Sequence, residues 1–223
     1  MFLGHYAVAL AAKKAAPKVS LGTLVFAAQF LDLLWPIFLL LDVEHVRILP
    51  GITAFTPLDF YDYPITHSLL ATVCWGAVFA LVWWARERTT RAAFVIGACV
   101  VSHWVLDFVS HRPDMPILPG VEKFVGLGLW NSVPATIAVE LGAFVIGIGM
   151  YLTAKKSTLR PVAFWTFIAF CLVVYAGNAR GTPPPSVNAL AWFGLAQWLL
   201  IPWAYWIDRP AQPARLAAKV TSA

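Results

Sequence analysis

Six runs of about twenty nearly uninterrupted apolar residues dominate this chain, each as long as a helix needs to be to cross the hydrocarbon of a bilayer. They cover residues 21–41, 66–85, 92–110, 134–154, 161–177 and 187–207. Barrel strands would alternate apolar with polar residues, whereas these runs are continuously apolar, and lipid leaves helices as the other solution. With 60% hydrophobic and 12% charged residues, the composition belongs to the same class. The expected fold is all-α: a polytopic integral membrane helical bundle of six full spans preceded by a partial-span N-terminal helix. One membrane domain covers residues 1–209, and the small, polar tail 210–223 is expected to be disordered.

The basic residues order these spans across the membrane. Lys13, Lys14 and Lys18 precede the first run, and Arg86, Arg88 and Arg91 separate the second from the third. Lys155, Lys156 and Arg160 separate the fourth from the fifth, and Arg209, Arg215 and Lys219 follow the sixth. Twelve of the sixteen Lys and Arg residues thus fall on one side. By the positive-inside rule that side, with the C-terminus, is cytoplasmic, and the long loops 42–65 and 111–133 face outward. A net charge of +5 spread over short loops offers no basic domain to grip nucleic acid. Cys74, Cys99 and Cys171 all lie in apolar runs, so no disulfide partner is expected. The first fourteen residues carry their positive charges after the apolar segment, and read as retained structure rather than a signal peptide.

Against this background a few ionisable residues stand out. His103, Asp107 and His111 recur every four residues in the stretch from Arg91 to His111 and, on a helix, stack on one face, where such groups are costly unless they bind something. If residues 2–12 form a short helix that turns back at Ala15 to Lys18, then at about 1.5 Å per residue His5 climbs about 18 Å from the turn and Asp32 about 22 Å. Measured from Arg91 and Lys155, His103 comes to about 18 Å, Asp107 to about 24 Å and Glu140 to about 22 Å. His67, about 28 Å above Arg86, is higher and would have to point inward and down.

Imidazole and carboxylate are the ligands of zinc and related divalent metals. His5, Asp32, His67, His103 and Asp107 suffice for one ion with a carboxylate behind it, or for two. Glu140 is a candidate general base or a further ligand, and Asp107 a second candidate for proton handling. Each residue also has a plainer reading. His5 could cap a packing contact, and Asp107 with His103 could be a neutralised pair. His111 reads first as an outer-boundary residue, Cys99 as a small packing residue and His45 as a solvated loop side chain. Asp59, Asp62 and Asp114 read as solvating the outer surface.

Leu3-Gly4-His5, the isolated Asp32, Thr66-His67-Ser68-Leu69-Leu70 and Ser102-His103 followed by Asp107 resemble, in this order, the motifs of bacterial membrane-bound metal-dependent hydrolases. More distantly, the layout is similar to zinc-dependent phospholipase C. The resemblance covers about residues 1–116 and implies metal binding, zinc foremost, by His5, Asp32, His67, His103 and Asp107. It leads to the expectation of a hydrolase in the bacterial inner (cytoplasmic) membrane, with its site toward the outer face. The substrate expected is a lipid or lipid-like ester, amide or phosphoester, and the partners are the bilayer and that lipid. The alternatives are a metal-ion or proton transporter using the same His/Asp cluster, and a purely structural membrane protein.

Overall fold

The computed structural model describes residues 1–155 and 160–208; Lys156, Arg209, Arg215, Lys219 and the tail expected to be disordered lie outside the described residues. Six helical stretches are long and apolar enough to cross a membrane: α2 (Leu21–Leu40), α4 (Leu69–Glu87), α5 (Thr90–Ser110), α6 (Val133–Ala154), α7 (Pro161–Arg180) and the broken helix Val187–Asp208. Serines start four of these helices, where a hydroxyl can satisfy an orphan amide. Ser20 Oγ accepts from Thr23 N, Ser68 from Ala71 N, Ser132 from Ala135 N and Ser186 from Ala189 N.

The shorter α1 (Phe2–Ala15) folds back on α2 through residues 16–20. It is no amphipathic surface helix. Leu3, Gly4, His5, Tyr6, Ala7, Ala9, Leu10 and Lys13 are all buried, with α2, α5, α6 and α7 packed around them. Its closest partner is α6. A Cβ at Gly147 would stand 2.6 Å from the carbonyl oxygen of Ala7 and 2.8 Å from its Cα, so only glycine lets the two backbones meet there. Gly76 and Gly97 bring α4 and α5 together in the same way: a Cβ at Gly97 would lie 2.8 Å from the Gly76 carbonyl oxygen.

Two runs differ from their expected continuity. The second is interrupted at Ser68, whose backbone is extended (φ −73°, ψ 147°), so that His67 sits on a separate turn, α3 (Pro64–His67), ahead of α4. The sixth divides into α8 (Val187–Ala196) and α9 (Leu200–Asp208) around a tighter turn at Gln197–Leu199. Pro202 accounts for this, since it has no N–H for the carbonyl four residues earlier.

The all-α expectation needs one correction, in the loops. Strands β1 (His45–Ile48) and β2 (Leu58–Asp62) form an antiparallel hairpin, and β3 (Met115–Pro116) pairs with β4 (Phe124–Val125). Cross-strand chemistry holds the first of these. His45 Nδ1 meets Asp62 Oδ2 at 2.7 Å, and the Arg47 guanidinium stacks 4.0 Å over Tyr61. Both hairpins lie at one end of the bundle, over a small apolar cluster that includes Trp35, Leu39, Tyr63, Trp104 and Met115.

An ion cluster closes the other end. Lys14 and Lys18 are exposed, as anchors at a membrane edge should be, but Lys13 is buried and donates to the Val19 carbonyl and to Asp208 Oδ2. Asp208 also accepts from Leu21 N at 3.0 Å and Tyr151 Oη at 3.2 Å, and pairs with Lys155 at 2.9 Å. The carboxylate that ends α9 thereby ties α1, α2 and α6 together.

Candidate metal centre

The structure brings His5 from α1, Asp32 from α2, His67 from α3, and His103 and Asp107 from α5 into one cluster between the hairpin end and mid-depth. His103 Nε2 lies 3.1 Å from Asp107 Oδ2 and 3.5 Å from Asp32 Oδ1. His67 Nε2 lies 3.5 Å from the same Asp32 oxygen and 3.8 Å from Asp107 Oδ2. His5 Nε2 is 3.2 Å from Asp107 Oδ1, and its ring stacks on His103 with centroids 3.6 Å apart and planes 3° from parallel. The helical hairpin expected from the climb out of residues 15–18 therefore sets His5 against His103 and Asp107. The break at Ser68 resolves the excess height of His67, because a free-standing turn can aim its side chain down into the bundle as a continuous helix could not.

What surrounds each imidazole decides which nitrogen faces the cluster. The ring of His103 has Nδ1 2.8 Å from the carbonyl oxygen of Ala28, so Nδ1 carries a hydrogen, and in the neutral ring Nε2 presents a lone pair. For His67 the same result comes through a relay. Glu44, buried, accepts from Ile65 N at 2.7 Å and Thr66 N at 2.8 Å with one oxygen, and from the Thr66 hydroxyl at 2.6 Å with the other. With its hydrogen given to Glu44, Thr66 Oγ1 accepts from His67 Nδ1 at 2.6 Å, and Nε2 again faces inward as a lone pair.

These inward nitrogens meet acceptors, not donors. Neither His5 Nε2 nor His103 Nε2 has an aligned hydrogen-bond partner, although both are buried and close to carboxylate oxygens. Buried polar atoms left this way are uncommon, and a cation held between the imidazoles and the carboxylates would give both a partner. The donor set fits a divalent cation. Two groups, His5/His103/Asp107 and Asp32/His67/His103, each place one ligand atom per residue within 4.8 Å of the others, and they share His103. These buried groups could hold a metal ion. Asp107 Oδ1 also accepts from the Met1 amino group.

Asp32 is the most open of the cluster, its side chain 28% exposed, where the other four are at most 5%. It faces a cavity of about 970 Å³ whose wall also includes His67, Asp107, Glu140 and His111. Glu140 is buried on that wall with Oε2 accepting from Leu3 N at 2.6 Å, so it caps the start of α1 as well as facing the cavity.

The other candidates separate by position. His111 is not a solvated boundary residue. It is buried between Phe60 and Trp130, with Nδ1 2.9 Å from Asp114 Oδ1, and burial lowers its pKa. Asp59 and Asp114 do more than solvate the surface, since both hold Arg112. His45 belongs to the β1–β2 hairpin, Cys99 is buried in the apolar core, and Cys74, Cys99 and Cys171 are free thiols.

Glu44 was not among the sequence candidates, because no spacing links position 44 to position 67; only the fold joins them. Glu44→Gln is expected to weaken metal binding by about 10–100-fold, the usual cost of losing an outer-shell partner. An amide offers Thr66 one acceptor where the carboxylate offered two. Chelator competition on the folded variant checks this, and an unchanged affinity would remove Glu44 from the site.

Comparison of the chain with family models, with curated proteins and with solved structures returned no match.

Proposed function

We propose that the protein is a membrane-embedded, metal-dependent hydrolase of lipid or lipid-like esters, amides or phosphoesters. The observation that carries this reading is the convergence of three imidazole Nε2 atoms and two carboxylates, with Nε2 of His5 and of His103 unpartnered, behind a large cavity that Asp32, His67 and Asp107 of the cluster line. The resemblance of the Leu-Gly-His, Thr-His-Ser and Ser-His-x3-Asp motifs to membrane-bound metal-dependent hydrolases supports the same class. Zinc is the metal best matched to a histidine-rich site with carboxylates. His5, His67 and His103 would hold it together with Asp107 and Asp32.

Once bound, such an ion supplies Lewis acidity toward a scissile carbonyl or phosphoryl group. The chain's own residues do the rest. Asp32, the open member, borders the space where substrate and water meet. Glu140 takes and returns the proton from the cavity wall, while its bond to Leu3 N holds the carboxylate in place. By the distribution of basic residues, the cavity faces the outer side of a bacterial cytoplasmic membrane. A transporter would need a second opening, yet the Lys13–Asp208 cluster and the buried Tyr151 and Phe164 occupy the opposite end.

Glu140→Gln discriminates the role of that carboxylate. The amide oxygen still accepts from Leu3 N, so metal content and folding should persist while turnover is lost, because an amide cannot take the proton. Loss of metal would make Glu140 a ligand, and full activity would reduce it to a helix cap.

A further inference from the structure

The cavity does not stop at the hairpin end. Its wall runs along α7 through Phe170, Val174 and Gly177, and along α8 through Leu190, Phe193 and Ala196. Phe170 precedes Arg180, the last residue of α7, by ten residues, or about 15 Å of helix. Cavity walls at that depth should be covered, yet Phe170 is 43% and Phe193 80% exposed. The cause lies in the packing. The α8 helix lies on α2, and α9 on α2 and α7, but α7 and α8 do not pack along one another. The cavity is therefore open sideways, at a level where membrane-spanning helices are flanked by hydrocarbon.

Polar groups on the same wall lack partners. The Tyr175 hydroxyl belongs to a residue only 4% exposed and has no hydrogen-bond partner, and Gln197 Oε1 is likewise buried and unpaired. Such groups call for a ligand that brings donors and acceptors of its own. Above them, Arg180 is the one Lys or Arg on the wall, exposed and without an ion-pair partner among the described residues. Arg112, by contrast, is committed to Asp59 and Asp114. A free guanidinium beside an apolar slot matches a phosphate with a hydrocarbon chain attached, since arginine binds phosphate with paired hydrogen bonds.

We infer that the α7–α8 gap is a side portal occupied by a phosphate-bearing bilayer lipid, with its acyl chain in the gap, its backbone oxygens beside Tyr175 and Gln197, and its phosphate at Arg180. The inference rests on the hydrolase reading for the lipid's fate, and it names the substrate class: an anionic phospholipid presented from within the membrane.

The test is photolabelling of the full chain in nanodiscs, using phosphatidylglycerol with a photoreactive group in mid-chain, and diacylglycerol with the same chain as the phosphate-free control. Adducts should concentrate on Phe170, Val174, Leu190 and Phe193. Gly177→Leu, at a position where a Cβ meets nothing within 4 Å, should cut gap labelling several-fold by narrowing the slot. Arg180→Gln should cut labelling by phosphatidylglycerol while leaving the diacylglycerol control unchanged. Adducts spread equally over the exposed Val145 and Ile146 of α6 would overturn the portal, as would unaltered labelling in Gly177→Leu. An equal response of both probes to Arg180→Gln would overturn the phosphate assignment. Repeating the labelling in His103→Ala separates the two readings. Gap labelling without metal would leave the portal standing if the hydrolase fails, and metal binding without gap labelling would do the reverse.

Discussion

Replacing His103 by alanine should empty the metal centre completely and abolish turnover. His103 is the member common to both candidate ligand groups, and its ring also supports His5 by stacking, so a single substitution removes one ligand directly and loosens another. The loss should exceed the ~10–100-fold expected for outer-shell changes such as Glu44→Gln. Asp107→Ala should act similarly, because its two oxygens reach toward His5, His67 and His103. Elemental analysis of protein purified without chelator, beside a thermal scan showing that the variants fold, is the measurement. Wild type should carry stoichiometric zinc. A wild type that has no metal and takes none up on addition would leave the hydrolase reading without a basis.

Asp208→Leu should be the most damaging substitution away from the cavity. Lys13 is buried against Asp208, and removing only the acid strands a charge inside the bundle, a change that costs about 3–5 kcal/mol in comparable buried pairs. Thermal unfolding in detergent should show a large drop in Tm with the cavity residues untouched. Lys13→Met added to Asp208→Leu should recover part of the loss, because it removes the buried lysine and leaves only the more exposed Lys155 without its acid. If the double variant is no more stable than Asp208→Leu, the damage comes from the partners lost by Leu21, Tyr151 and Lys155 and not from the stranded Lys13.

Much of the cluster's geometry could be read from the linear chain, for a physical reason. Helical rise is constant, so counting residues from each basic edge put His5, Asp32, His103 and Asp107 at compatible depths, and the fold brings these same residues together. The span limits were legible on similar grounds, since apolar length is what a bilayer demands. What escaped were features set by contacts between distant segments. The Glu44–Thr66–His67 relay joins a loop to a helical turn, the burial of Lys13 depends on the last residue of α9, and the enclosure of His111 depends on Phe60 and Trp130. The hairpin β1–β2 was missed because its short strands sit in a loop read only for charge.

The close seat of α1 on α6 bears on where the functional unit ends. All five candidate ligands occur by residue 107, and the motif resemblance ends by about residue 116, so the first half of the chain looks self-sufficient on paper. It is not. The helix that carries His5 is held by the Gly147 contact at Ala7 and by Glu140 at Leu3, a bond spanning 137 residues. A chain cut after α5 would contain every ligand and still lack the surface that places the first of them. The structural unit is therefore longer than the motif, and a side chain at position 147, which touches no ligand, would displace the helix that carries His5.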